Sequence, residues 1–181
     1  LARGERESFQ IVLRPEKDKP LSGVRVQVNP LTCKETGAVI APEDVALYNV
    51  MYHSVRIPSH FEGPAGPWPD ALPPFKAFNA PGGVSSPVWL TVYARPELAP
   101  GVYTGLIEVT AADMDPIELW LEVKVFGFAL PAAPALKTDF GFWVDAASRG
   151  AKAMGGTASP AELAAAYLEN ALQHRVTLRD L

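Results

Sequence analysis

An antiparallel β-sandwich followed by the first strand and helix of a truncated (β/α)8 barrel is the mostly-β fold class that three observations on this sequence predict. Apolar residues recur at every second position in one segment after another up to residue 130, which is the period of strands with one buried face. No helical period occurs before residue 158. Past the proline-marked stretch Leu130–Pro134 the texture changes to one apolar strand and one amphipathic helix. The organisation read from this is a sandwich over 1–130, a linker over 131–135 and the start of a barrel over 136–181.

In chain order, "SFQIVL" (8–13) and "GVRVQV" (23–28) alternate and read as strands. "VALYNVMYHSV" (45–55) is rich in β-branched and aromatic residues, and "PVWLTVYA" (87–94) sets Val88, Leu90 and Val92 against Trp89, Thr91 and Tyr93. Pro100-Gly101 suits a tight turn, since proline presets φ and glycine accepts a positive one. "GVYTGLIEVTA" and "PIELWLEVKVFGF", separated by Asp113-Met114-Asp115-Pro116, then read as a hairpin. "LKTDFGFWV" (136–144) is one more apolar strand. In "SPAELAAAYLENALQHR", Ser159 caps a helix, Pro160 fits its first position and Glu162 completes a capping box. Leu163, Tyr167, Leu168, Ala171 and Leu172 share one face of that helix and need cover.

Composition narrows the partners. The chain has 181 residues, 48% of them hydrophobic, enough for a real core. Sixteen Lys and Arg against twenty Asp and Glu give a net charge of -4 without a basic block, so nucleic acid is excluded as an expected partner. No apolar run reaches the roughly 18 to 20 residues of a membrane span, and the opening "LARGERES" is not a signal peptide. The absence of an initiating Met and the charged opening are expected of a piece cut from a longer protein; the location expected for that protein is secreted, periplasmic or cell-surface, its signal then having been removed. A single cysteine, Cys33, rules out an internal disulfide and a multi-cysteine zinc site.

Four segments in order, "ARGERESFQIVL" (2–13), "WPDALPP" (68–74), "PVWLTVYARPELAPGVYTGLIEV" (87–109) and "LPAAPALKTDFGF" (130–142), resemble the N-terminal part of glycoside hydrolase family 123, the bacterial β-N-acetylgalactosaminidase-like proteins, and its uncharacterised relatives. The resemblance implies a sandwich ahead of a (β/α)8 catalytic barrel. It also implies substrate-assisted cleavage of terminal N-acetylgalactosamine, in which the sugar acetamide attacks its own anomeric carbon, an Asp orients it and a Glu acts as acid and base. That Asp-Glu pair belongs to a later strand and has no counterpart here. Glu43-Asp44 is reversed in order and sits in a turn, so no catalytic residue is assigned and the fragment is expected to be inactive. The implied partners are a glycan, through the parent enzyme, and the protein's own catalytic barrel.

Several residues invite chemistry. Trp68-Pro69-Asp70 matches by letter the acid loop of protein tyrosine phosphatases, but that chemistry needs an arginine six positions after the nucleophilic cysteine, and Val39 stands there after Cys33. Trp68, Phe75 and Phe78 can stack on a pyranose face, although the prolines around Trp68 favour a stiff loop pinned by that ring to the sandwich or to the barrel. His53, His60 and His174 fall on different kinds of element, so no metal is expected, nor any cofactor. His174 and Arg175 suit a helix C-terminus, and Arg3, Glu5, Arg6 and Glu7 suit surface ion pairs. Phe142, Trp143 and Asp145 fall at or past the end of the predicted barrel strand, where barrel enzymes build their sites, as does Asp139 before them. Trp143, Asp145 and Trp68 are therefore the candidate substrate-binding residues. "GAKAMGGTAS" (150–159) lacks the spacing of a phosphate loop and reads as a flexible connection. The rival from another class is a non-catalytic carbohydrate-binding or cell-surface module, for which a sandwich suffices.

Overall fold

Alternation in the sequence becomes burial in the structure: along Leu21–Val28, Val24, Val26 and Val28 are buried while Arg25 and Gln27 face water. The structure, a computed structural model, describes residues 1–58, 60–112, 114–153 and 155–179, and the chain divides into units Leu1–Leu130 and Pro131–Leu181. Asp113 of the predicted hairpin turn and Met154 of the predicted glycine-containing loop lie outside the described residues.

The first unit contains β1 (Arg6–Leu13), β2 (Leu21–Val28), β3 (Leu31–Cys33), β4 (Val39–Ile40), β5 (Val45–Asn49), β6 (Tyr52–Val55), β7 (Gly66–Pro69), β8 (Phe78–Ala80), β9 (Ser86–Tyr93), β10 (Gly101–Ala111) and β11 (Met114–Val125). One antiparallel sheet has the order β1-β9-β5. In the other, β10 pairs with β11 along one side and with β2 and β3, set end to end, along the opposite side. β8 and β4 extend this sheet beyond β2 and β3. Val88, Leu90 and Val92 of the smaller sheet share a core with Val24, Val26, Tyr103, Ile107 and Val125 of the larger. The two antiparallel sheets thus enclose one hydrophobic interior.

Two expectations are corrected in this unit. The predicted strand 45–55 is two strands in different sheets, because β5 pairs with β9 whereas β6 pairs with β7. The proline-rich segment around Trp68, predicted as a loop, contains β7 itself. Its prolines are compatible with pairing because Asp70 donates its N–H to Met51 inside the ladder, at 3.0 Å, so by alternation the nitrogens of Pro67 and Pro69 point to the free edge.

The second unit contains β12 (Phe140–Gly141), α1 (Val144–Ala153), α2 (Pro160–Gln173) and β13 (Leu178–Arg179). β12 and β13 pair in parallel, Phe140 with Leu178 and Gly141 with Arg179, and the helices form the crossover that a parallel pair requires. Helix α2 starts as its sequence dictates: the Glu162 N–H donates to Ser159 Oγ at 3.3 Å, and the Ser159 N–H donates back to Glu162 Oε2 at 2.7 Å. The strand expected over 136–144 is only two residues long, and helix α1 occupies the end of that segment and the start of the expected loop. A helix before residue 158 was not expected. Arg175 is also displaced from its predicted place: it lies beyond the cap residue His174, with φ of +60°.

Candidate functional site

The first candidate region is a β-arm built on β6 and β7. Backbone bonds from Asn49 to Pro73 and from Phe75 to Leu47 prolong the arm's return limb along β5, so residues 66 to 75 fold back as one strip. His53 lies opposite Trp68 in this ladder. The indole N–H of Trp68 donates to the Pro64 carbonyl at 2.8 Å, and the ring lies beside Gly63, whose Cβ position is 3.8 Å from Trp68 Cζ2. Trp68 therefore closes its own loop while remaining 41% exposed. Phe61 and Ile57, near the tip, are each 89% exposed, and His60 stacks on Phe61 with ring centroids 4.5 Å apart. The sequence reading missed both, although Ile57 and Phe61 stand on either side of Pro58 as an apolar-aromatic pair. Phe75 and Phe78, by contrast, meet edge to face at 6.2 Å and pack against the core.

The second region is the C-terminal end of β12. Phe142 turns inward and its ring packs on Tyr167 of α2, with centroids 4.7 Å apart. Trp143 turns outward and is 70% exposed. A Cβ on Gly141 would lie 3.1 Å from Trp143 Cη2, so the absence of a side chain at Gly141 lets the indole fold back over the strand. The Trp143 carbonyl accepts the N–H groups of Ala146 and Ala147, which fixes the residue at the start of α1. Asp145 occupies the first turn of α1 rather than a strand end, a place where negative charge also meets the positive end of the helix dipole. Asp139 pairs with Arg179 at 3.0 Å across the two parallel strands. Gly141-x-Trp143 was the legible signal here: residues two apart on a strand share a face, and a glycine clears it for the ring.

The remaining candidates are placed as follows. Cys33 is fully buried, with its Sγ donating to Glu35 Oε2 at 3.1 Å, and this thiol hydrogen bond holds the Glu35 carboxyl below the usual carboxylate range. Tyr103 is buried and donates its hydroxyl hydrogen to the Ala99 carbonyl at 2.6 Å; burial pushes its phenol above the ordinary range. Glu43 and Asp44 lie in a single helical turn before β5, where Asp44 pairs with Arg95 at 2.8 Å. Around the opening residues Glu7 pairs with the Leu1 ammonium at 3.9 Å, Arg6 lies over the Tyr93 ring at 4.1 Å, and Glu5 accepts the Ala2 N–H. Among the described residues no group of three or more His, Cys, Asp or Glu side chains is disposed to hold a metal. No helix among them is long and apolar enough to cross a membrane.

Fold and site together define a class: antiparallel sheets over one core, followed in the chain by a parallel β-α-α-β segment that presents an exposed tryptophan at a strand end. No family model matches the sequence, and no curated protein does. Among solved structures the chain is similar to a family 123 glycoside hydrolase from Clostridium perfringens, from a structural analysis of glycolipid glycan hydrolysis. The TM-score is 0.71 at 18% identity, over 83% of this chain and 26% of that one. The relationship to family 123 is thus one of fold, and the chain spans about a quarter of that hydrolase's length.

Proposed function

We propose that this chain is the N-terminal accessory β-sandwich, with the opening of a (β/α)8 barrel, of a bacterial glycoside hydrolase resembling the β-N-acetylgalactosaminidases. Its work is to support and shape the catalytic barrel, with glycan hydrolysis carried by residues outside these 181. The observation that supports the reading is the extent of the structural likeness: 83% of the chain is more than the first unit alone supplies, so the likeness reaches the parallel unit. An accessory sandwich in front of a barrel has this order of parts, as do the four sequence segments that resemble family 123. In this reading the polypeptide works outside the cytoplasm.

Within it, Trp143 offers an exposed ring for a pyranose face, and Asp145, two residues on, offers a carboxylate to sugar hydroxyls. The test uses the full-length protein and an aryl N-acetylgalactosaminide. Trp143→Ala and Asp145→Ala are expected to reduce kcat/KM by at least about tenfold each, the loss of one stacking or charged contact. Unchanged turnover in both removes them from the sugar site, and no turnover by the full-length protein removes the hydrolase reading. Calorimetric titration of residues 1–135 with N-acetylgalactosamine separates the rival: millimolar or tighter binding favours a carbohydrate-binding module, and flat heats favour a supporting role.

A further inference from the structure

The first unit has an open side. A groove of about 680 Å³ lies between the end of β1 and the start of β11, floored by Ile11, Leu13, Val109, Met114, Ile117 and Leu119. A second, of about 270 Å³, lies between residues 7–9 of β1 and residues 121–124 of β11 and is closed at one end by Leu1. Since β1 and β11 run in opposite directions past one another, the two hollows succeed each other along the same pair of edge strands. The core is correspondingly incomplete. Along the inward face of β11 exposure climbs from 2% at Val125 and 9% at Val123 to 37% at Leu119 and 47% at Ile117. Among the described residues no strand pairs with β11 on the side away from β10, which leaves a long apolar edge of the kind that folded proteins cover.

That edge is already engaged at one end. The Leu1 nitrogen donates to the Lys124 carbonyl at 2.8 Å, and the Leu1 carbonyl accepts the Phe126 N–H at 2.9 Å, which is one rung of a parallel ladder. Arg3 continues it in parallel opposite Ala129. Backbone groups alternate sides along a strand, so those of Glu118, Trp120 and Glu122 face the same edge as those of Lys124. Traced back from Leu1, a strand in this direction lies beside Glu122, then Trp120, then Glu118, and so begins at the mouth of the groove.

We infer that the groove is filled by the polypeptide segment that runs into Leu1 in the full-length protein, as a parallel strand of roughly eight residues on the free edge of β11. Leu1, opposite Val125, points into the groove, so the second, fourth, sixth and eighth residues ahead of it point inward as well, and they are apolar, lying opposite Val123, Leu121, Leu119 and Ile117. The residues between them face outward beside Glu118 and Glu122, and basic side chains there complement those charges.

The test compares this 181-residue chain with the same chain carrying its native preceding residues, by hydrogen exchange. The amides of Trp120 and Glu122 are expected to exchange at least about tenfold more slowly in the longer chain. Ile117→Glu is tolerated in the shorter chain, where the side chain is half exposed, and is expected to abolish that protection in the longer one. Equal exchange in the two chains, or protection that survives Ile117→Glu, overturns the inference. So does a coding frame that supplies fewer than eight residues ahead of Leu1, or polar residues at the inward positions.

Discussion

Gly101 and Cys33 fix each other's identity. Gly101 holds φ at +152°, and a Cβ there would stand 2.6 Å from the Cys33 sulfur, which is fully buried. Gly101→Ala therefore combines backbone strain with overpacking and is expected to cost about 2–4 kcal/mol, read as a fall in the urea midpoint at unchanged slope. Adding Cys33→Ala removes the clash and should restore part of the loss; a strictly additive double variant would show that the two residues do not press on each other. Leu90→Ala empties a fully buried position in the central strand of the smaller sheet, for about 3 kcal/mol by the same measurement. The alternation of Val88, Leu90 and Val92 made this burial legible. The role of Trp68 was not, because its three-letter match to a phosphatase loop carries no information about the carbonyl of Pro64 that its indole bonds.

At the scale of elements, the capping box of α2 turns a sequence pattern into a pH dependence. The Ser159 backbone N–H, and then its hydroxyl, bond the Glu162 carboxylate and hold it below the usual range. A carboxyl depressed in the folded state stabilises the helix above its unfolded value of about 4.3, and that contribution is lost as pH falls through the lower folded value. An NMR titration should place the Glu162 midpoint below the ordinary glutamate range and return it upward in Ser159→Ala; one midpoint for both proteins would rule the box out in solution. This helix was readable because cap, proline and glutamate are consecutive local signals. Helix α1 was not readable, since Ser148 and Gly150 weaken helical propensity and the apolar residues of Val144–Ala153 are one valine and four alanines, which give a weak signal. The divided strand 45–55 was missed for a different reason: composition favours extended backbone throughout, and only tertiary pairing decides that β5 joins β9 while β6 leaves for the arm.

The whole molecule is asymmetric in what holds it together. Every residue of the main core cluster, from Val24 to Val125, lies within Leu1–Leu130. Among the described residues, Pro131–Leu181 has one two-stranded parallel sheet and two helices, and on the predicted apolar face of α2 only Ala171 is buried, while Tyr167, Leu168 and Leu172 remain exposed. The helix face that needed cover was legible in its period; what covers it was not, because amphipathicity names a face without naming its partner. A chain of residues 1–130 should therefore unfold cooperatively, within about 4 °C of the Tm of the 181-residue chain, a difference equivalent to about 1 kcal/mol in a domain of this size. Residues 131–181 alone should show no cooperative transition, since so small a segment with an open apolar face buries too little area to offset its chain entropy. Scanning calorimetry of the two pieces decides it. A sharp transition in 131–181 would mean that the βααβ segment is self-sufficient, and loss of the transition in 1–130 would mean that the sheets draw their stability from the parallel unit.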